Sequence, residues 1–376
     1  MLPEIIPSPA LCTPDGRTAR IFRLTNRQGA SVDLCEWGAR WMQARVPGRD
    51  GRLGDTLQGY VRPEEWLTDD CYRGATIGRY ANRIGGAEVT VDGVRYALDR
   101  NDGPNCNHGG RHGLNTCLWQ GIPEEDGVSF TLTSPHLAGG WPGEVTLRVS
   151  YRWDDNNRLL VTHEATTDRP TWLSLTLHPY FNLGNRPGSV ADHLLYIPST
   201  RRLEMDAAFL PTGRLVEVQG TPFDFTRPAR IGQYAGQLCD ELVWSRGYNH
   251  CYPVPDPAFP DERAETLSPT EGLPLAASQS LMEGTALTEG IPLAESLPLA
   301  AQLTAPDSGR VLSIYTDLPG ILVYSGGFLP QPGSAVALEA QFWPDTPGHP
   351  DFPSCLLRPG MRYLRHICFA FGINQA

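Results

Sequence analysis

Polar and apolar positions alternate in short runs along most of this chain, and Gly, Pro, Asn and Asp punctuate the runs. A period of two predicts strands with one face on a core. Glu88 to Val91 and Val94 to Leu98 flank Asp92-Gly93, a strong hairpin signal. Val145 to Tyr151 and Leu159 to Glu164 flank Asp154 to Asn157 and predict a second hairpin. Further strands are predicted at Arg20 to Leu24, Ser129 to Thr133, Val311 to Thr316, Ile321 to Ser325 and Val336 to Trp343. Long helical periodicity is scarce. With 39 Gly and 34 Pro, the chain reads as all-β, a sandwich or barrel of mainly antiparallel strands.

Three segments carry candidate chemistry. In Leu173 to His178 the leucines share one face, and Ser174, Thr176 and His178 share the other. Pro179 then holds His178 extended and stops the ladder, with Tyr180 and Phe181 following. An imidazole at a strand end beside aromatic rings suits proton transfer on a sugar; from this segment alone, a surface or structurally bonded histidine is the commoner outcome. In Ala335 to Trp343, Val336, Leu338, Ala340 and Phe342 face one side, and Glu339, Gln341 and Trp343 the other. Desolvation would raise the pKa of Glu339; a solvated strand glutamate is the alternative.

The third segment, Gly74 to Gly110, concentrates Arg79, Asn82, Arg83 and His108 around a hairpin. Arginine and asparagine supply fixed donors for hydroxyl groups, and the glycines after His108 allow a ligand to approach the backbone. His108 and His112 could suggest a metal pair. No third ligand lies nearby in sequence and the glycines argue against a helix, so no metal is expected.

One region breaks the β pattern. From about Pro255 to Leu299 the chain is rich in Pro, Glu, Ala, Ser and Leu, and TEGLPLA at Thr270 recurs as TEGIPLA at Thr288. Recurrent proline breaks helix and strand alike, and near-identical repeats suggest local duplication. Residues 255–297 are expected to form an exposed insertion within a single domain spanning 1–376, a partner-docking loop being the alternative.

Composition narrows the function. The net charge of −11 makes nucleic acid and anionic membranes poor partners. The N-terminal stretch lacks a signal-peptide pattern, and no run approaches the ~20 apolar residues of a membrane span. Nine scattered cysteines without a CxxC fit free thiols in a reducing compartment, so a cytoplasmic location is expected. The chain contains no lysine, which excludes a lysine Schiff base, a pyridoxal-lysine enzyme and a P-loop lysine. No nucleophile elbow, dinucleotide fingerprint or HExxH occurs, while a glycosidase carboxylate pair stays open.

Taken in order, GRYANRI, NHGG, LSLTLHPYFNL, LPTGRLVEVQGTPFDF, GRVLSIYT with YSGGFL, and LEAQFWPDTPGHPDFPSCLLRPGMRY resemble the aldose 1-epimerase (galactose mutarotase) family. The resemblance covers about Ile21 to Phe371, apart from the insertion. It implies a β-supersandwich fold, a monosaccharide substrate held in a cleft across one sheet, and no cofactor or metal. It also implies reversible ring opening that interconverts anomers. Glu339 matches the family's base on the anomeric hydroxyl, and His178 matches the acid on the ring oxygen. Asn82, Arg83 and His108 match residues that hold the sugar; Tyr180 and Asn249 are assigned to substrate binding with them. A monomer or homodimer is expected. Two other readings are a sugar-binding or sensor protein without catalysis, and a hexose-phosphate 1-epimerase.

Two positions depart from the family pattern. Asn249 stands where many members have Asp, and Leu318 where many have Gln, in Asp317-Leu318-Pro319-Gly320. Asparagine has lost a charge and leucine cannot hydrogen-bond a hydroxyl. Both changes point away from galactose, toward a pentose or an aldose differing at a distal hydroxyl.

Overall fold

The computed structural model describes residues 3–6, 11–13, 15–234, 239–255 and 296–374. Strands dominate them, as the alternation predicts. Asp92 and Gly93 both take positive φ (50° and 79°), the backbone that a two-residue hairpin needs, and join Glu88–Val91 to Val94–Ala97. The second predicted hairpin pairs Val145–Trp153 with Arg158–Thr167.

The largest sheet has nine antiparallel strands. Its order is Gln120–Glu124, Gly127–Ser134, Val145–Trp153, Arg158–Thr167, Tyr363–Ile373, Arg310–Thr316, Leu299–Thr304, Leu194–Tyr196 and Ala229–Arg230. The C-terminal strand Tyr363–Ile373 sits in its middle and stitches the earlier half of the chain to the later half. A four-stranded sheet, ordered Tyr180–Phe181, Val336–Gln341, Gly320–Tyr324 and Asn249–Pro253, carries much of the candidate chemistry. A five-stranded sheet near the N-terminus runs from Glu4–Ile6 to Leu53–Asp55. One continuous core lies between these sheets, taking Val149 and Ile367 from the large sheet, Leu338 from the four-stranded one and Trp41 from the N-terminal one.

The alternation at Val336–Gln341 is obeyed, but all six residues are buried. Val336, Leu338 and Ala340 enter the main core, and Glu339 looks out of the other face. Leu173, Leu175 and Leu177 likewise join the core. Their polar neighbours Ser174, Thr176 and His178 are buried too, because the segment Gly74 to Ala81 lies against them. The Ser174 N–H donates to the Arg79 carbonyl (2.9 Å), and the Ala81 N–H donates to the Ser174 carbonyl (2.8 Å). A period of two identifies two faces; it does not reveal what covers the polar one.

Buried arginines tie loops together. Arg79 was a predicted sugar donor, yet its guanidinium turns inward to Ser134 and to the carbonyls of Ser134, Pro135, Pro142 and Gly143. Arg310 gathers the carbonyls of Val46, Leu183, Gly184 and Arg52 in the same manner. The five-donor fork suits this task and a lysine ammonium would not. All nine cysteines are free thiols. Among the described residues no helix is long and apolar enough to cross a membrane. The repeat segment predicted at 255–297 lies outside the described residues from 256 to 295.

Candidate active site

The site is built on the four-stranded sheet. Register places Tyr180, Ala337, Tyr324 and Asn249 along one row, and Glu339 beside Leu322 in the row two residues on. His178 stands just before this sheet, held at both of its backbone groups. Its N–H donates to the Ala75 carbonyl (3.0 Å), and its carbonyl accepts from the Gly74 N–H (2.8 Å). Gly74 has φ +64°, and a Cβ there would lie 1.9 Å from the Trp41 carbonyl oxygen. Only glycine fits there, so the strand carrying His178 has a fixed neighbour. The Thr176 hydroxyl donates to the Ala340 carbonyl (2.7 Å), tying the His178 segment to the strand of Glu339.

The opposite wall comes from Tyr72, Asn82, Arg83, Asn107 and His108. Tyr72, Asn82 and His108 all adopt left-handed backbone, with φ of 62°, 68° and 52°. Such conformations cost free energy and cluster at functional sites. The Asn82 N–H donates to His108 Nδ1 (3.2 Å), and the His108 N–H donates to the Asn82 carbonyl (3.1 Å). The sequence suggested that glycines after His108 admit a ligand. Instead, Gly109 lets the chain approach itself: a Cβ there would sit 2.0 Å from the Gly78 carbonyl oxygen. Arg83 donates to Asp102 (2.6 Å), and its guanidinium lies over the Phe209 ring at 4.8 Å.

The two walls enclose a cavity of about 230 Å³. His178 Nε2 lies 3.3 Å from Glu339 Oε1. The contact is not aligned as a hydrogen bond, and among the described residues neither carboxylate oxygen has a hydrogen-bond partner. Rings frame the pair: Tyr180 is 4.9 Å from His178, and Tyr72 is 4.6 Å from His108. Desolvation pushes the Glu339 carboxyl up to about 8, with Arg83 acting in the opposite sense. Desolvation drives the His178 imidazole down to about 4, against its own backbone and Asp69. Burial, then the neighbouring His178 and Arg83, hold His108 well below its ordinary value. Between those limits the acid and imidazole hold one exchangeable proton between them, which desolvation of both groups places on Glu339.

His108, His178 and Glu339 present ligand atoms within 4.8 Å of one another, so the fold brings His178 and Glu339, and not His112, to His108. The trio nevertheless fits a cation poorly. A metal-bound histidine donates its other ring N–H outward. His108 Nδ1 instead accepts the Asn82 N–H, which leaves the proton of the neutral ring on Nε2. His112 points elsewhere and contacts Asp99 (2.7 Å).

The predicted residues His178, Glu339, Asn82, Arg83, His108, Tyr180 and Asn249 all line this one cavity. Arg79 does not, for the reason given above. Leu318 does not either: it is 1% exposed within the main core, and its N–H donates to the Thr316 hydroxyl. The apolar residue that meets the cavity is Leu322, opposite Glu339 in register. Sequence reasoning missed Leu322, Tyr72, Tyr324 and Phe328. Pairing the predicted strands Ile321 to Ser325 and Val336 to Trp343 would have found Leu322 and Tyr324.

An antiparallel β fold that sets a buried imidazole–carboxyl pair against a wall of Asn82, Arg83 and His108 defines a class: a protein equipped for proton transfer on a small polar molecule. The family model described as "Aldose 1-epimerase" matches residues 20–369, and the chain belongs to that family. The aldose 1-epimerase of Escherichia coli (strain K12) is 34% identical over 369 residues, covering 95% of this chain and 96% of that protein. The galactose mutarotase of Sus scrofa is 31% identical over 368 residues, covering 95% of each. Among solved structures, the aldose epimerase homologue from C. elegans superposes with a TM-score of 0.78 at 28% identity, over 95% of this chain and 99% of that one. The galactose 1-epimerase from Lactobacillus acidophilus also gives 0.78, at 22% identity over 99% of both chains, and shows the same fold.

Proposed function

We propose that this chain interconverts the α and β anomers of a free aldose by opening and reclosing the sugar ring. The observation that carries the reading is the meeting of His178 and Glu339 in one cavity of an aldose 1-epimerase family member. In this scheme Glu339 takes the proton of the anomeric hydroxyl, and His178 gives a proton to the ring oxygen. The C1–O5 bond breaks as the C1 carbonyl forms. Rotation about C1–C2 presents the other face, and reclosure returns both protons with the roles exchanged. Sugar hydroxyls supply the hydrogen bonds that both Glu339 oxygens lack, which favours the carboxylate and moves the shared proton to His178. Asn82, Arg83, His108, Tyr180 and Asn249 hold the hydroxyls. His108, protonated on Nε2, serves as a donor.

Arg83 is the one arginine among the described residues lining the cavity, and Asp102 already engages it, which speaks against a phosphorylated sugar. With Leu318 in the core, the case for an aldose other than galactose rests on the uncharged Asn249. Polarimetry on freshly dissolved single anomers tests both layers. Glu339→Gln and His178→Asn should each lower kcat by ~10²-fold or more in folded protein. Wild-type rates in either variant would remove the acid–base assignment. Galactose leading a panel of aldoses would remove the specificity reading alone.

A further inference from the structure

Asn249 reaches the cavity from Asn249–Pro253, the edge strand of the four-stranded sheet. The Tyr248 carbonyl accepts from the Ser325 N–H of the neighbouring strand (2.9 Å). The N–H of the same trans peptide, which belongs to Asn249, therefore points away from the sheet. Among the described residues no further strand of that sheet receives it. The ring of the next residue does: the Asn249 N–H donates to His250 Nδ1 at 2.9 Å. Accepting at Nδ1 places the ring proton on Nε2, which faces Glu241 Oε2 at 3.3 Å. Arg202 grips Glu241 with two bonds, of 2.8 and 2.6 Å. The Arg202 guanidinium lies 3.8 Å from the Phe223 ring, and the His250 ring lies 4.6 Å from it. Both His250 and Arg202 are buried. Desolvation raises Glu241, but the bonds from His250 and Arg202 outweigh it and hold the carboxylate at about 2.

These contacts join three elements: Arg202 on Arg201–Met205, Glu241 on the short helix Asp240–Trp244, and His250 on the edge strand. We infer that His250 is a positioning residue, which fixes the edge-strand peptide of Asn249 and so sets how tightly the sugar is held. None of the three touches the His178–Glu339 pair in the contacts above, so the effect falls on affinity more than on the chemical step. The inference rests on the anomer-interconversion reading, with Asn249 as a sugar contact.

The test is steady-state mutarotation of the aldose that wild-type protein turns over fastest. Losing the bond to the Asn249 N–H in His250→Ala should raise KM about tenfold and leave kcat within about threefold. His250→Asn, whose side-chain oxygen can accept the same N–H, should recover most of the loss. His250→Gln, which reaches toward Glu241 instead, should not. In an Asn249→Ala background, His250→Ala should add no further change in KM. Equal KM increments in both backgrounds, a fall in kcat at constant KM, or rescue by Gln in place of Asn would each overturn the proposal. If His250→Ala does not fold, the Asn and Gln variants decide it. A wild-type chain inactive on every aldose would instead count against anomer interconversion itself.

Discussion

Glu339→Gln should remove a loss of stability that wild-type protein suffers as pH rises, while it lowers turnover ~10²-fold or more. The Glu339 carboxyl is 1% exposed, and its pKa stands at about 8 against an ordinary 4.5. The folded state therefore keeps a proton that the unfolded chain releases. Stability from this group is complete below pH 4.5 and is lost as pH rises through 8. At about 1.4 kcal/mol per pH unit, less the partial titration at each end of the range, raising the pH from 5 to 8 costs wild-type protein between about 3 and 4 kcal/mol through this group alone. Glutamine cannot titrate. Whatever its amide costs in the same buried position is the same at both pH values and cancels in the comparison. Urea unfolding of both proteins at pH 5 and pH 8 measures the effect: the glutamine variant should gain between about 3 and 4 kcal/mol on wild type between the two. Parallel pH dependence in the two proteins would refute the desolvated carboxyl, and with it the shared proton.

The pH profile of kcat/KM should be a bell with limbs near 4 and near 8, since one shared proton is needed: acid protonates both groups and alkali strips both. Activity that is flat across either limb would contradict this. His163 is fully buried on Arg158–Thr167, neither ring nitrogen has a hydrogen-bond partner among the described residues, and desolvation lowers its pKa to about 4 from 6.5. Its neutral form stabilises the fold above pH 6.5, and that stability is lost as pH falls toward 4, so His163→Leu should relieve about 2 kcal/mol of acid destabilisation at pH 5. Equal acid midpoints of unfolding for the two proteins would count against it. Deleting Pro255 to Ser296 should leave mutarotation largely intact, because every described cavity-lining residue lies outside that segment. Lost sugar binding on deletion would mean that the repeats shape the site.

The face that carries Glu339 was legible where chemistry and period coincide. Glu339 falls between core residues at alternate positions, and Asp92-Gly93 announces its own turn. The sequence was silent where tertiary covering decides. Arg79 and Arg83 are one residue type four positions apart; one is drawn inward by five acceptors and the other meets the cavity. Leu318 and Leu322 look interchangeable. Leu318 precedes Pro319-Gly320 and joins the core, whereas Leu322 sits within the strand, in register with Glu339. Tyr72 escaped notice because its position depends on left-handed backbone, which no periodicity encodes.

The arginine hubs that gather buried carbonyls belong to a chain with no lysine at all. Ring opening releases a free aldehyde inside the protein. Unprotonated primary amines condense with aldehydes to imines, whereas a guanidinium that stays protonated throughout the physiological range has no lone pair to offer. Each cation that staples a loop, and Arg83 at the cavity wall, is thus chemically blind to an aldehyde formed beside it. No side-chain amine exists to trap the open-chain sugar, so this protein can work in concentrated aldose without being glycated at a lysine.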